Sequence, residues 1–320
     1  MPVNIHKPNA NDSLSLIELR LYKEMMAYRA EVGLPEIRLS KALTTTAGRH
    51  VVDTYENFWV PNILPKGSLH DWSDDSGPTA MWGAPERMGT GFTGTGYEIS
   101  AAGYGDVTGA LAGWKGSVGH NDVIINASGW GGSPWKSIGI GVLTGSPSEE
   151  YGGRVYHVWF SDTADTGVPD IMGTKDADAF SGTSFRDRLF GKEGRDTIAG
   201  GTGADRIDGG AGRDRLTGDA GADHFVFAAR GGGADRITDF THGTDDLRLE
   251  RDAFAALGAK VTAGELHFGT DARDGDDHLI YQRSTGQLWY DADGKGGVAK
   301  VLFAVLEGDP VLKAADFEMI

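Results

Sequence analysis

The chain has 320 residues, 49 of them glycine, and a formal net charge of −16 from 46 acidic and 30 basic residues. It contains no cysteine, which excludes a disulfide framework, a thiolate zinc site and a cysteine nucleophile; its acidity, with no basic patch, excludes a binder of nucleic-acid backbone. With 39% hydrophobic residues and eight tryptophans it is no disordered acidic tail, and the excess of glycine and aspartate points to tight turns and hard-cation ligands.

In chain order, residues 1–11 are polar and lack the apolar stretch of a secretory leader, which alone predicts a cytosolic protein. Residues 13–32 predict a helix: Ser15 and Glu18 have capping-box spacing, and Leu14, Ile17, Leu21, Met25, Tyr28 and Val32 form a 3-4 stripe. Gly33 and Pro35 end it, and Ser40 opens a second helix through Leu43, Ala47, Val51 and Thr54. A third short helix is predicted over 107–114, then strands over 137–143 and 154–161, the latter alternating Val155, His157 and Trp159 against Tyr156, Val158 and Phe160. Helices before strands predict an α+β domain built as an α-β-α sandwich. The longest clean apolar run, Val301–Leu306, is too short to span a membrane.

Seven of the eight tryptophans precede residue 170, and aspartate dominates the acids after it. The break falls in 161–170, which reads as a linker. The resulting division is an extension over 1–12, a first domain over 13–165, a repeat segment over 166–230 and a closing segment over 231–320.

The repeat is periodic by nine. Gly173, Gly182, Gly191, Gly200, Gly209 and Gly218 open its units; Asp178, Asp187, Asp196, Asp205, Asp214 and Asp223 hold the sixth place; Phe180, Leu189, Ile198, Ile207, Leu216 and Phe225 hold the eighth. Glycines let six residues turn with carbonyls inward, the aspartate adds a carboxylate, and an oxygen-only shell suits Ca²⁺. The best copies, Gly200-Gly-Thr-Gly-Ala-Asp-Arg-Ile-Asp208 and Gly209-Gly-Ala-Gly-Arg-Asp-Arg-Leu-Thr217, resemble the hemolysin-type (RTX) calcium-binding repeat.

That resemblance implies a parallel β-roll in which residues 18 apart stack: Asp178 over Asp196, Asp187 over Asp205, Asp196 over Asp214 and Asp205 over Asp223. It implies up to about four Ca²⁺, held by the six aspartates with Gly191, Gly200, Gly201, Gly203, Gly209, Gly210 and Gly212, and a segment that does not fold without them. The first two units, Gly173-Thr-Lys-Asp and Gly182-Thr-Ser-Phe, lack the fourth-place glycine and predict a capping turn with weak sites or none. Residues 235–249 resemble the segment that closes such rolls, followed by closing antiparallel strands over 279–282, 287–290 and 298–306, the first two forming a hairpin across 284–286. Asp291-Ala-Asp-Gly294 echoes an EF-hand opening, but Leu302 stands where its glutamate belongs, so it reads as a turn. Residues 314–320 resemble the C-terminal signal of type I secretion substrates, implying a type I apparatus as partner and an extracellular location reached without an N-terminal signal peptide.

Within 13–161 a second resemblance arises from Arg29-Ala-Glu-Val-Gly-Leu-Pro, Ala47-Gly-Arg-His50, Leu69-His70, Gly96-Tyr-Glu98-Ile-Ser, Trp114-Lys-Gly-Ser-Val-Gly-His120, Gly139-Ile-Gly141-Val and Val158-Trp-Phe160. In this order they are similar to a bacterial CAP (SCP/PR-1-like) domain. The resemblance implies a cleft lined by His70, Glu98 and His120, a possible Zn²⁺ shell with one open position. Ser117 stands where the family has a further acid. His50 is expected to face helix packing and His157 to lie in a strand, neither as a ligand.

No enzyme signature is present. No histidine precedes a glutamate, Lys115-Gly-Ser-Val-Gly119 fails the Gly-x-Ser-x-Gly pattern, and no phosphate-binding loop follows a strand. The leading expectation is a secreted calcium-binding protein whose CAP-like domain binds a small ligand, lipid or surface component. The alternatives are a hydrolase or protease using His70, Glu98 and His120, and a structural or adhesive extracellular protein.

Overall fold

The computed structural model describes residues 3–58, 68–73, 80–132, 134–145, 154–228 and 233–320. The chain divides into two compact units, Met1–Ile171 and Met172–Ile320.

The first unit contains α1 (Leu16–Glu31), α2 (Lys41–Val52), α3 (Ala80–Arg87), β1 (Tyr97–Ala102), α4 (Val107–Gly116), α5 (Val118–Ile124), β2 (Ser137–Thr144) and β3 (Arg154–Ser161). α3, β1 and α5 lie outside the predicted elements. α1 begins with the expected reciprocal cap: the Glu18 N–H donates to Ser15 Oγ and the Ser15 N–H to the Glu18 carboxylate. Its inward face differs from the predicted stripe. Glu18, Leu21, Tyr22, Met25 and Arg29 are buried, whereas Ile17 and Val32 are exposed. Two polar side chains turn the helix this way. Glu18 Oε1 accepts the Val142 N–H at 2.8 Å, and Arg29 donates to the Ile124 carbonyl and to Asn126 Oδ1. The face is thus set by buried hydrogen bonds as well as by apolar area.

The three strands form an antiparallel sheet in the order β1-β3-β2. Its register sets Trp159 between Glu98 and Gly139, and His157 between Ser100 and Gly141, so these positions share one face. Two glycines let α2 lie directly on that face. A Cβ on Gly139 would come within 2.0 Å of the Leu43 carbonyl carbon, and one on Gly141 within 2.3 Å of the Ala47 carbonyl oxygen. The predicted linker is tied down at its middle: Asp165 Oδ2 accepts from Ser40 Oγ at 2.6 Å and from the Ala42 N–H at 3.1 Å.

The second unit contains β4 (Ala179–Ser181), β5 (Arg188–Phe190), β6 (Thr197–Thr202), β7 (Arg206–Asp208), β8 (Arg215–Ala220), β9 (His224–Phe227), β10 (Asp235–Ile237), β11 (Asp246–Leu249), β12 (Leu266–Phe268), β13 (Leu279–Gln282), β14 (Gln287–Tyr290), β15 (Val301–Leu306) and β16 (Phe317–Met319). The strands alternate between two sheets. One runs β5-β7-β9-β11-β16, and the other β12-β13-β14-β15-β10-β8-β6-β4. Every second repeat strand pairs in parallel with an 18-residue register: Leu189 with Ile207 and Ile207 with Phe225, Phe180 with Ile198 and Ile198 with Leu216. Leu189, Ile198, Ile207, Leu216 and Phe225 are fully buried and make the thin core between the sheets. The chain is therefore a mixed α+β protein with a parallel β-roll. β13, β14 and β15 close it in antiparallel fashion, with Val298 exposed ahead of β15 rather than within it. The predicted end of the roll at 230 lies outside the described residues, and no described helix is long and apolar enough to cross a membrane.

Candidate functional site

In the first unit, the face beneath α2 gathers a carboxylate and three imidazoles. Glu98 comes from β1, His157 from β3, His50 from the last turn of α2 and His70 from the 68–73 segment. His50 Nδ1 and His157 Nδ1 lie 2.6 and 2.7 Å from Glu98 Oε1, and His70 Nδ1 lies 2.8 Å from Oε2. The side chains of Glu98, His50 and His157 are fully buried, and His70, 37% exposed, is the member that meets solvent. His50 is stacked between Trp72, with centroids 4.0 Å apart, and His157 at 4.1 Å. Its Nε2 lies 3.1 Å from the Asp71 carbonyl. Both of its nitrogens thus face acceptor oxygens. The His157 Nε2 meets Thr54 Oγ1 at 3.0 Å.

The electrostatics follow from this packing. Burial alone would raise Glu98, but the charges of His50 and His157 outweigh it and hold the carboxyl well below its usual range. Burial, and then the His50 charge, push the His157 imidazole down to about 4. The hydrogen bond to Glu98 raises His70. Burial, and then the His70 charge, lower His120.

The structure thus brings His70 onto Glu98, whereas His120 forms its hydrogen bond with Ser117 Oγ at 2.9 Å. Glu98 does not line an open cleft; it is sealed below His70. The two histidines set aside on sequence grounds are the ones that enclose it. His50, Glu98 and His157 form the group among the described residues whose ligand atoms lie within 4.8 Å of one another and could hold a metal. Two signals in the sequence point to them. Gly139 and Gly141, two apart on a strand, mark a helix pressed on one face. His50 lies three residues after Ala47, which contacts Gly141, and His157 alternates with Trp159 on that face.

In the second unit the repeat aspartates form two rows. The N–H of each donates to Oδ1 of the aspartate 18 residues on: Asp178 to Asp196, Asp187 to Asp205 and Asp196 to Asp214 at 2.8 Å, and Asp205 to Asp223 at 3.0 Å. The other oxygen, Oδ2, of Asp196, Asp205, Asp214 and Asp223 is buried without a hydrogen-bond partner. A Cβ on Gly191 would meet both Asp196 Oδ2 and the Gly209 carbonyl at 2.4 Å, and one on Gly200 both Asp205 Oδ2 and the Gly218 carbonyl at 2.5 Å. Carboxylate and carbonyl oxygens therefore converge between successive turns, with Gly201, Gly203 and Gly210 at positive φ shaping them. Burial pushes the Asp205 and Asp223 carboxyls up to about 6 and Asp235 up to about 8. Orphaned buried oxygens and like charges in register fit a bound hard cation.

Comparison with known proteins agrees with this donor set. The family model of the RTX calcium-binding nonapeptide repeat (4 copies) matches at 172–205, 181–216 and 190–225. The chain carries RTX calcium-binding repeats. A subunit of the mannuronan C5-epimerase of Azotobacter vinelandii is 29% identical over 49% of this chain and 86% of its own, with a TM-score of 0.33. An extracellular protein containing an SCP domain from Bacillus anthracis is 21% identical over 45% of this chain and 39% of its own, with a TM-score of 0.31. A cysteine-rich secretory protein from Staphylococcus aureus is 16% identical over 46% of this chain and 38% of its own, with a TM-score of 0.32. No curated protein matches the chain.

Proposed function

We propose that the chain is a secreted protein that leaves the cell through a type I system and folds its RTX roll on external calcium, and that its CAP-like unit binds a small ligand, lipid or surface component at the His70 edge of the buried cluster. The carrying observation is the set of four orphaned carboxylate oxygens, on Asp196, Asp205, Asp214 and Asp223. In a low-calcium cytosol these buried anions oppose folding. Outside, millimolar calcium exceeds the ~10⁻⁴–10⁻³ M dissociation constants of extracellular modules and reverses the balance. Far-UV circular dichroism of the full chain in chelator and in calcium tests this. A gain of β signal on adding calcium is expected, and identical spectra would sink the reading.

Binding rather than chemistry is favoured because Glu98, His50 and His157 are sealed from solvent. A hydrolase reading rests on Ser100 Oγ, 2.8 Å from His157 Nδ1 and 3.4 Å from His70 Nδ1, although both of these nitrogens already face the Glu98 carboxylate. Ser100 is itself buried, which opposes its acting as a nucleophile on a substrate. Metal analysis after exhaustive dialysis separates the two. Stoichiometric zinc together with hydrolytic turnover supports the hydrolase, and binding of apolar ligands without turnover supports the binding module.

A further inference from the structure

The repeat frame ends at residue 225, but the two rows of stacked residues do not. The apolar eighth place continues beyond it: Leu216 pairs with Ile237, and Phe225 with Leu247, each fully buried. Asp235 stands two residues before Ile237 and Asp245 two before Leu247, as Asp196 stands before Ile198. The carboxylate ladder follows them. The Asp214 N–H donates to Asp235 Oδ1 and the Asp223 N–H to Asp245 Oδ1, both at 3.0 Å, the bond made throughout the repeats. Spacing has grown from 18 residues to 21 and 22, which hides the register from a nine-residue period. The next turn ends both rows, because Ala304 pairs with Asp235 and Ala315 stands two before Phe317.

The start of the rows is closed in a different way. At Asp178, Asp187, Asp196 and Asp205, Oδ2 and a carbonyl of the following turn converge on one glycine. Asp178 Oδ2 accepts the Thr174 N–H at 2.6 Å and hydroxyl at 2.9 Å, and Asp187 Oδ2 accepts the Thr183 N–H at 2.5 Å and hydroxyl at 2.9 Å. Asp214 Oδ2 and Asp223 Oδ2, on residues at most 2% exposed, have no partner, and these residues stand one step before Asp235 and Asp245 in the carboxylate ladder. At the end of its row, Asp245 Oδ2 again accepts an N–H from a threonine, Thr241, at 2.7 Å.

We propose that the calcium row is displaced one turn toward the C-terminus from the repeat frame: ions lie at Asp196/Asp214, Asp205/Asp223, Asp214/Asp235 and Asp223/Asp245, and none at Asp178/Asp196 or Asp187/Asp205. Asp235 and Asp245, outside the recognised repeats, are then calcium ligands, and Thr174 and Thr183 are plugs that substitute donors for an ion. This rests on the calcium-binding reading above.

Calcium stoichiometry of the full chain by equilibrium dialysis, with far-UV circular dichroism at ~10 mM calcium, well above extracellular-site affinities, tests it. Asparagine keeps the ladder acceptor Oδ1, removes the charge and puts an NH2 donor where Oδ2 stood. Asp235→Asn and Asp245→Asn are each expected to lose one ion relative to wild type, and Asp178→Asn and Asp187→Asn none. Failure of Asp235→Asn to fold in calcium while Asp178→Asn folds also supports the displaced row. Full stoichiometry in Asp235→Asn and Asp245→Asn, or loss of an ion in Asp178→Asn or Asp187→Asn, overturns it. A wild-type chain that binds no calcium defeats the underlying reading instead.

Discussion

His70 Nδ1 lies 2.8 Å from Glu98 Oε2, so the one cluster histidine that meets solvent is joined directly to its sealed carboxylate. Glu98→Gln removes the anion shared by three imidazoles. The His70 pKa, raised mainly by this bond, is expected to fall in the variant when followed by imidazole NMR. Leaving buried imidazole donors without their acceptor should cost about 1–3 kcal/mol. Tryptophan fluorescence melting reads that loss, since seven of the eight tryptophans precede residue 170. An unchanged His70 titration would show that the pair does not exist in solution.

Glu18 gives the first unit a pH dependence of its own. Burial pushes its carboxyl up to about 7 despite hydrogen bonds from Ser15 and Val142. Folding therefore favours the protonated acid. Stability from this group is full below the ordinary pKa of 4.5 and is lost as pH rises through about 7. The expected loss between pH 5 and 8 is on the order of 3 kcal/mol. Glu18→Gln should flatten that slope in fluorescence melts; an equal slope in variant and wild type would refute the assignment.

Gly141→Ala should be far more damaging than its one methyl suggests. The new Cβ meets the α2 backbone at Ala47, which cannot yield as a side-chain tip would. Lifting α2 also draws His50 from Glu98, so a loss of at least about 1–3 kcal/mol is expected from overpacking. Gly116→Ala, where nothing lies within 4 Å of the added atom, is the matched control and should be neutral or mildly stabilising. Equal melting temperatures for the two variants would contradict the contact.

Much of this architecture was legible in the sequence, for identifiable reasons. The roll announces itself because one period fixes turn, ligand and core residue together. The α1 cap was visible because Ser15 and Glu18 are local in sequence. What escaped was set by partners far along the chain. The inward face of α1 depends on Val142 and Asn126, and the roles of His50 and His157 on a sheet register and two distant glycines. Asp235 and Asp245 escaped because insertions broke the period while the stacking persisted.

Ile207→Ala tests whether core packing and calcium binding are one equilibrium. Ile207 is fully buried, pairs with Leu189 and Phe225, and touches the ion sites only through the fold. Truncation should cost about 3 kcal/mol, within the usual range for such cavities. If four ions bind as the roll folds, one for each orphaned oxygen, that cost is distributed over four binding events. The calcium midpoint for folding should then rise about three- to fourfold. Val298→Ala, at a position 57% exposed, should leave the midpoint unchanged. A calcium titration followed by far-UV circular dichroism measures both. An unshifted midpoint in Ile207→Ala would mean that the roll is already folded before calcium arrives.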